Sequence, residues 1–293
     1  MKKTALALGF FDGMHLGHRA ILDVALDSDL TPSVFTFGGG EMPKFKKYNG
    51  RYLIYPYDKK MALLSEYGFE EIYAPNFSDV SDLTPVEFFE GVIYDKMHAG
   101  LVVCGENFTF GKNGAGNAEL LSRLCSERGI DVRIIPMLIS DGEEISSSRI
   151  KRLLLNGDVS AAAALGTVAA YGGEVVHGAR LGHTLGYPTI NMLFGEHRLI
   201  PKYGVYAARV SIGGAEYNGI SNIGVKPTIV GERAPLIETH LFDFTRETYG
   251  EYAEVTLLGF LRGERRFENV GELTLQMAQD IDRAVEYIDK IIQ

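Results

Sequence analysis

Short apolar runs alternate with amphipathic stretches through the first half of the chain. Runs at 4–8, 33–37, 71–74, 101–104 and 131–135 have strand length and little internal alternation, the pattern of parallel strands covered on both faces. Between them, residues 20–26, 58–67, 85–97 and 118–128 repeat apolar side chains at helical spacing. Such alternation predicts an α/β domain with an open, doubly wound parallel sheet, which takes its ligands beyond the carboxyl ends of the strands.

From Gly173 the period changes to two. Segments 174–176, 203–210, 216–220, 237–242 and 253–258 read as strands separated by turn residues, and closely spaced strands without helices between them imply an antiparallel barrel or sandwich. The end of the chain returns to helix, with Leu275, Ala278, Ile281, Val285, Ile288 and Ile292 along one face over 272–292. Between the halves, 150–164 reads as one helix broken at Asn156-Gly157-Asp158. The join is expected at 158–170, giving domains 1–160 and 168–293.

Composition narrows this picture only slightly. The 293 residues suffice for two cores, and 46% hydrophobic with 23% charged residues is an ordinary globular balance. A net charge of −9 speaks against nucleic-acid binding through bulk electrostatics, yet a nucleotide needs only a local positive site. No apolar run has membrane length. The opening Met1-Lys2-Lys3-Thr4 does not read as a signal peptide, because Asp12 and His15 interrupt the apolar run behind it and no small-residue cleavage site follows. Cys104 and Cys125 are too few and too far apart for a metal knuckle or disulfide framework, so they are expected to be inert thiols in a reducing cytoplasm.

The candidate chemistry begins at Gly9-Phe10-Phe11-Asp12-Gly13-Met14-His15-Leu16-Gly17-His18, between the first strand and the first helix. A helix start offers unpaired N–H groups and a positive dipole end, which favour an anion. His15 and His18, with Gly17 between them, let phosphate oxygens approach two rings and bare backbone. The histidines alone read more readily as a surface pair beside a turn, and Asp12, Gly13 and Gly17 straight after a strand reverse that reading. Gly105–Asn117 follows the fourth strand and reads as a connecting loop or as a contact for ribose or phosphate through Asn107 or Lys112. Ile145-Ser146-Ser147-Ser148-Arg149-Ile150-Lys151 joins a serine N-cap to a guanidinium, a second anion site.

The segment from Gly9 to His18 resembles the H-x-G-H signature of nucleotidyltransferases, most closely in the bacterial family of bifunctional riboflavin kinase/FMN adenylyltransferases. The resemblance implies that His15 and His18 stabilise charge at the α-phosphorus of ATP. It places Gly9, Phe11, Asp12 and Gly17 at the nucleotide, and Ser147, Ser148 and Arg149 on the outgoing phosphates. Asn107 and Phe108 fall in the loop that contacts flavin in the family. Where the family often has proline-histidine-proline, this chain reads Phe37-Gly38-Gly39-Gly40.

In the second half, Gly178–Gly186 is glycine-rich, Tyr187–Asn191 carries a hydroxyl and an amide oxygen two residues apart, and Asn222–Thr228 is a polar turn. Singly, each is an ordinary turn. In this order and spacing they resemble the riboflavin kinase module, a small barrel. The resemblance implies phosphate contact through Gly178, Gly182 and Gly186, magnesium held with ATP by Thr189 and Asn191, flavin contact through Asn222, and Glu238 as the base for the attacking hydroxyl. Riboflavin, FMN, FAD and ATP are the implied substrates and products, with no nucleic-acid or membrane partner. The rivals are a chain that keeps one of the two activities, transfer to a different phosphate acceptor, and a non-catalytic flavin-binding protein.

Overall fold

The structure, a computed structural model, describes residues 2–40, 50–177, 187–227 and 233–292. Gly178, Gly182 and Gly186 of the expected flap lie outside the described residues. The chain forms two compact units, Met1–Arg149 and Ile150–Gln293. The division falls inside a helix, ahead of the turn at which the apolar pattern placed the join.

The first unit runs β1 (Thr4–Leu8), α1 (Leu16–Leu26), β2 (Thr31–Phe35), α2 (Tyr57–Glu66), β3 (Glu71–Tyr73), α3 (Phe77–Val80) and α4 (Pro85–Phe88), which continues as a π-helical stretch, Phe89–Lys96. Then follow β4 (Ala99–Gly105), β5 (Thr109–Phe110), β6 (Gly116–Asn117), α5 (Ala118–Glu127), β7 (Asp131–Ile135), β8 (Ile139–Ser140) and β9 (Glu143–Glu144). A five-stranded sheet has the order β3-β2-β1-β4-β7, all parallel. Strand order reverses at β1, whose five residues are all buried. The crevice at such a reversal is where ligands bind in open sheets of this kind.

The reason these elements form lies in what they bury. Leu6, Leu8, Val102 and Cys104 face a cluster that includes Phe35, Phe88, Phe89, Ile93 and, from α5, Leu121 and Cys125. Side-chain caps start some of the helices: Thr84 and Glu87 form a capping box at α4, and Asn117 accepts the Leu120 N–H at α5.

The second unit holds α6 (Ser147–Asn156, which spans the division), α7 (Val159–Ala164), β10 (Ala170–Glu174), β11 (Thr189–Leu193), β12 (Gly204–Ile212), β13 (Ala215–Pro227), β14 (Arg233–Leu241), β15 (Tyr252–Arg262) and α8 (Val270–Ile292). Gly157, at φ +89°, ends α6 where the apolar pattern predicted a break. Six strands pair antiparallel in the order β10-β15-β12-β13-β14-β11. A bridge from Val176 to Asn191 brings the two edges together, so the sheet is a nearly closed barrel. Helix α8 packs Ala284 and Ile288 onto Val205, Ala207 and Ile220. Its Asp280 is almost fully buried and takes a bidentate hydrogen bond from Arg262 of β15.

Two stretches read as turns are strands. Tyr187–Asn191 enters β11, and the segment from Asn222 lies within β13. Their polar residues hide the alternation because the barrel satisfies those groups internally. Ser221 and Thr239, both fully buried, share a hydrogen bond of 2.7 Å, and paired polar groups can sit where apolar ones are expected.

Candidate active sites

The first site grows from the turn after β1. Phe11 (φ 50°) and Met14 (φ 47°) adopt left-handed backbone, and the Phe11 ring, fully buried, folds back over Gly9. A Cβ on Gly9 would lie 2.8 Å from that ring, so only glycine permits the fold. Asp12 is 1% exposed, and its Oδ1 accepts the N–H groups of Ile54 at 2.9 Å and Tyr55 at 3.0 Å. The carboxylate of Asp12 thus ties the turn to the segment leading into α2.

His15 is the N-cap of α1, with φ −66° and ψ 167°. Its Nδ1 accepts the His18 N–H at 3.3 Å, so the ring proton of the neutral imidazole resides on Nε2. That nitrogen lies 3.4 Å from Ser147 Oγ, which donates its own proton to Asp12 O at 3.1 Å. Burial lowers the pKa of His15 to about 4, so it is neutral near pH 7, and its ring stacks on that of His18. The two rings lie 3.6 Å apart at 20°, and the edge of His18 meets Phe11 at 5.4 Å.

Two helix starts converge here. A Cβ on Gly17 would stand 3.1 Å from Ile145 O and 3.3 Å from the His15 ring. Glycine therefore lets the first turn of α1 approach the segment that opens α6. Ser146 Oγ accepts the Arg149 N–H at 3.3 Å, capping α6, while Ser147 and Ser148 form its first turn. The Arg149 guanidinium is engaged by the β8–β9 hairpin, through Ser140 O at 2.9 Å, Glu143 O at 2.8 Å and the Glu143 carboxylate at 3.5 Å. Beyond β4, Phe108 is half-buried and stacks on Phe110 with centroids 5.8 Å apart, and Asn107 lies in the preceding turn.

Sequence reasoning missed what braces this turn. Thr36 just after β2, Tyr52 and the Ile54 and Tyr55 amides on the approach to α2, and Lys60 within α2 supply these contacts. A signal did exist, since Lys60 stands in the apolar stripe of α2 beside Leu64 and both are buried.

The second site is a row across three strands. Register pairs Glu238 of β14 with Asn191 of β11 on one side and Asn222 of β13 on the other. Directly paired residues project from the same face, so a carboxylate is flanked by two amides. Thr189 Oγ1 donates to Glu238 Oε1 at 3.2 Å. Thr189 and Asn191 also line a cavity of about 250 Å³, closed by Val175, Leu241 and the segment 244–249. That segment, with Arg246, Glu247 and Tyr249, carried no recognisable signal in the sequence. Beside it, the His177 ring lies 3.8 Å from that of Tyr249.

Comparison with known proteins agrees with both halves of this description. The FAD synthetase family model matches residues 1–149, and the riboflavin kinase family model matches 165–288. The bifunctional riboflavin kinase/FMN adenylyltransferase of Bacillus subtilis is 34% identical over 99% of this chain and 94% of its own. The Escherichia coli K12 enzyme of the same name is 31% identical over 96% and 92%. A solved structure described as a macrolide-efflux protein from Streptococcus pneumoniae aligns with a TM-score of 0.85 at 31% identity, over 96% of this chain and 94% of that one. With a histidine turn opening a helix in one unit, a carboxylate flanked by amides in the other and this likeness along nearly its whole length, the chain belongs to the family of bifunctional riboflavin kinase/FMN adenylyltransferases.

Proposed function

We propose that the two units catalyse consecutive steps, the barrel unit making FMN from riboflavin and ATP, and the parallel-sheet unit joining FMN to AMP to give FAD and pyrophosphate. The observation that carries this reading is that each of the two matched families falls on a unit with its own polar site.

In the barrel, Glu238 takes the proton of the riboflavin hydroxyl as that oxygen attacks the γ-phosphorus and ADP leaves. Thr189 gives its proton to Glu238, which leaves the hydroxyl lone pairs for a cation, and Asn191 adds a buried amide oxygen. Both are hard oxygens that suit magnesium shared with phosphate. When bound, magnesium neutralises phosphate charge, while Asn222 stands on the other flank of Glu238 to orient the flavin.

In the first unit, the FMN phosphate oxygen attacks the α-phosphorus and pyrophosphate leaves. The His15 Nε2–H and His18 offer donors where charge develops. Gly9 and Gly17 allow close approach, and Ser147, Ser148 and the positive end of α6 hold the departing phosphates. Asp12 and Phe11 set the shape of the turn. Arg149 fixes the hairpin beside α6 and adds positive charge to its first turn. Asn107 and Phe108 contact the flavin. Among the described residues no helix is long and apolar enough to cross a membrane, and the free thiols of Cys104 and Cys125 are buried, which suits the cytoplasm as the working compartment.

The test is to supply purified protein and magnesium with riboflavin and ATP, and separately with FMN and ATP, and to identify products. FMN in the first and FAD in the second are expected. Neither product in either tube would overturn the reading.

A further inference from the structure

A buried cation lies beneath the first site without entering the chemistry above. Lys60 is 1% exposed. Its Nζ donates to Phe10 O at 3.0 Å, Thr36 Oγ1 at 3.0 Å and Phe37 O at 2.8 Å, using all three protons of an ammonium group. Nζ also sits 4.3 Å from the centroid of the Phe10 ring, and Thr36 Oγ1 donates to Phe10 O at 2.9 Å. The two carbonyls belong to the segments that leave β1 and β2 at the carboxyl edge of the sheet. One carries the histidines.

The other enters Gly38-Gly39-Gly40. There Gly38 N donates to Pro75 O at 3.0 Å, and Phe77 N donates to Gly39 O at 3.0 Å. The hydroxyls of Tyr52 and Tyr57 donate to Gly40 O at 3.2 and 3.0 Å. A Cβ on Gly38 would lie 2.5 Å from Ala74 O, so the strap is pressed flat against its neighbour. Burying an ammonium is costly, and an apolar side chain of similar volume avoids that cost. What only a cation supplies here is three simultaneous bonds to two separate segments.

We propose that Lys60 is a positioning residue for adenylyl transfer, holding the histidine-bearing turn after β1 and the glycine strap after β2 in one fixed arrangement. This rests on reading the first unit as the adenylyltransferase. The charged and titratable groups around Lys60 are Asp12 from the turn, and Tyr57 and Tyr52 from the segment entering its own helix. Burial outweighs the attraction of Asp12 and lowers the pKa of Lys60 to about 7. Above that pH the amine keeps only two of its three donors.

The experiment uses the full chain with FMN and magnesium–ATP, following FAD, and riboflavin phosphorylation as the control. Wild type that forms no FAD removes the underlying reading and the proposal with it. Lys60→Met is expected to lower kcat/KM for FAD formation about 10–10²-fold, as displaced groups do, with FMN formation unchanged. Wild-type kcat/KM should fall as pH rises through about 7, and the variant should lack that limb. A folded Lys60→Met protein with wild-type kcat/KM, or one that is slower but keeps the limb, overturns the proposal. Should Lys60→Met not fold, Thr36→Val removes one of the three partners. The proposal then expects a several-fold loss of FAD formation, and wild-type kcat/KM in Thr36→Val overturns it.

Discussion

In the first unit the two histidines stand three residues apart on a single turn, whereas in the second Asn191, Asn222 and Glu238 come from three strands. The first arrangement is local, and distant residues only fasten it: Ser147 meets His15, Ile54 and Tyr55 hold Asp12, and Lys60 holds Phe10. The second does not exist until the strands pair. A register slip of one residue in β14 would turn Glu238 to the opposite face of the barrel. Chemistry written in one stretch depends on its braces, and chemistry written across strands depends on registry.

Variants can break this contrast in turn. The largest effect is expected from Glu238→Gln, which leaves the strands paired and removes the carboxylate proposed as the base. Turnover for FMN formation should fall by about 10²–10⁴ with FAD formation from supplied FMN intact, and product assays on the two reactions check it. His18→Ala should act in mirror image, lowering FAD formation by about 10²–10³ and sparing FMN formation. Unchanged FAD synthesis would remove His18 from the mechanism.

A third expectation concerns stability. His15 has a folded pKa of about 4 against 6.5 for the free imidazole, so the unfolded chain binds the extra proton first as pH falls. Stability of the first unit should therefore be full above about 6.5 and decline toward about 4, by about 3 kcal/mol in total. Thermal unfolding across that range checks the slope, and His15→Asn, which keeps an acceptor at the N-cap, should flatten it. The smallest effect is expected from Gly17→Ala. Its Cβ would press on Ile145 O at 3.1 Å, which should widen the gap between α1 and the α6 segment and lower FAD formation about tenfold. Wild-type rates there would mean that the approach of the two helix starts is not needed.

The alternation of strand and helix in the first half was legible because the central strands β1 and β4 bury their apolar runs, although the edge strand β7 leaves Ile134 exposed. For α8 the stripe was legible only in part: Ile281, Ala284 and Ile288 meet the barrel, while Leu275 and Val285 of the expected face are exposed. The break at Gly157 and the histidine turn were legible for the same local reason. Thr189–Asn191 and Asn222 were visible as residues but not as strand positions, since the buried polar Asn191 and Ser221 interrupt the apolar alternation that marks a strand. Lys60 was visible only as a charge in an apolar stripe. Nothing local says which carbonyls it will meet. The wall at 244–249 gave no pattern, because a loop that lines a cavity owes its place to the strands at its ends.

By itself, then, the sequence determined the two kinds of architecture, the turn with His15 and His18, and the serines that open α6, all consequences of spacing within a few residues. Tertiary structure alone decided that Glu238 stands between two amides, that Asp12 grips a distant segment, and that a lysine ties two loops at the sheet edge. Those outcomes depend on strand register and on partners remote along the chain, and a buried polar group becomes favourable only once the fold has delivered its partner.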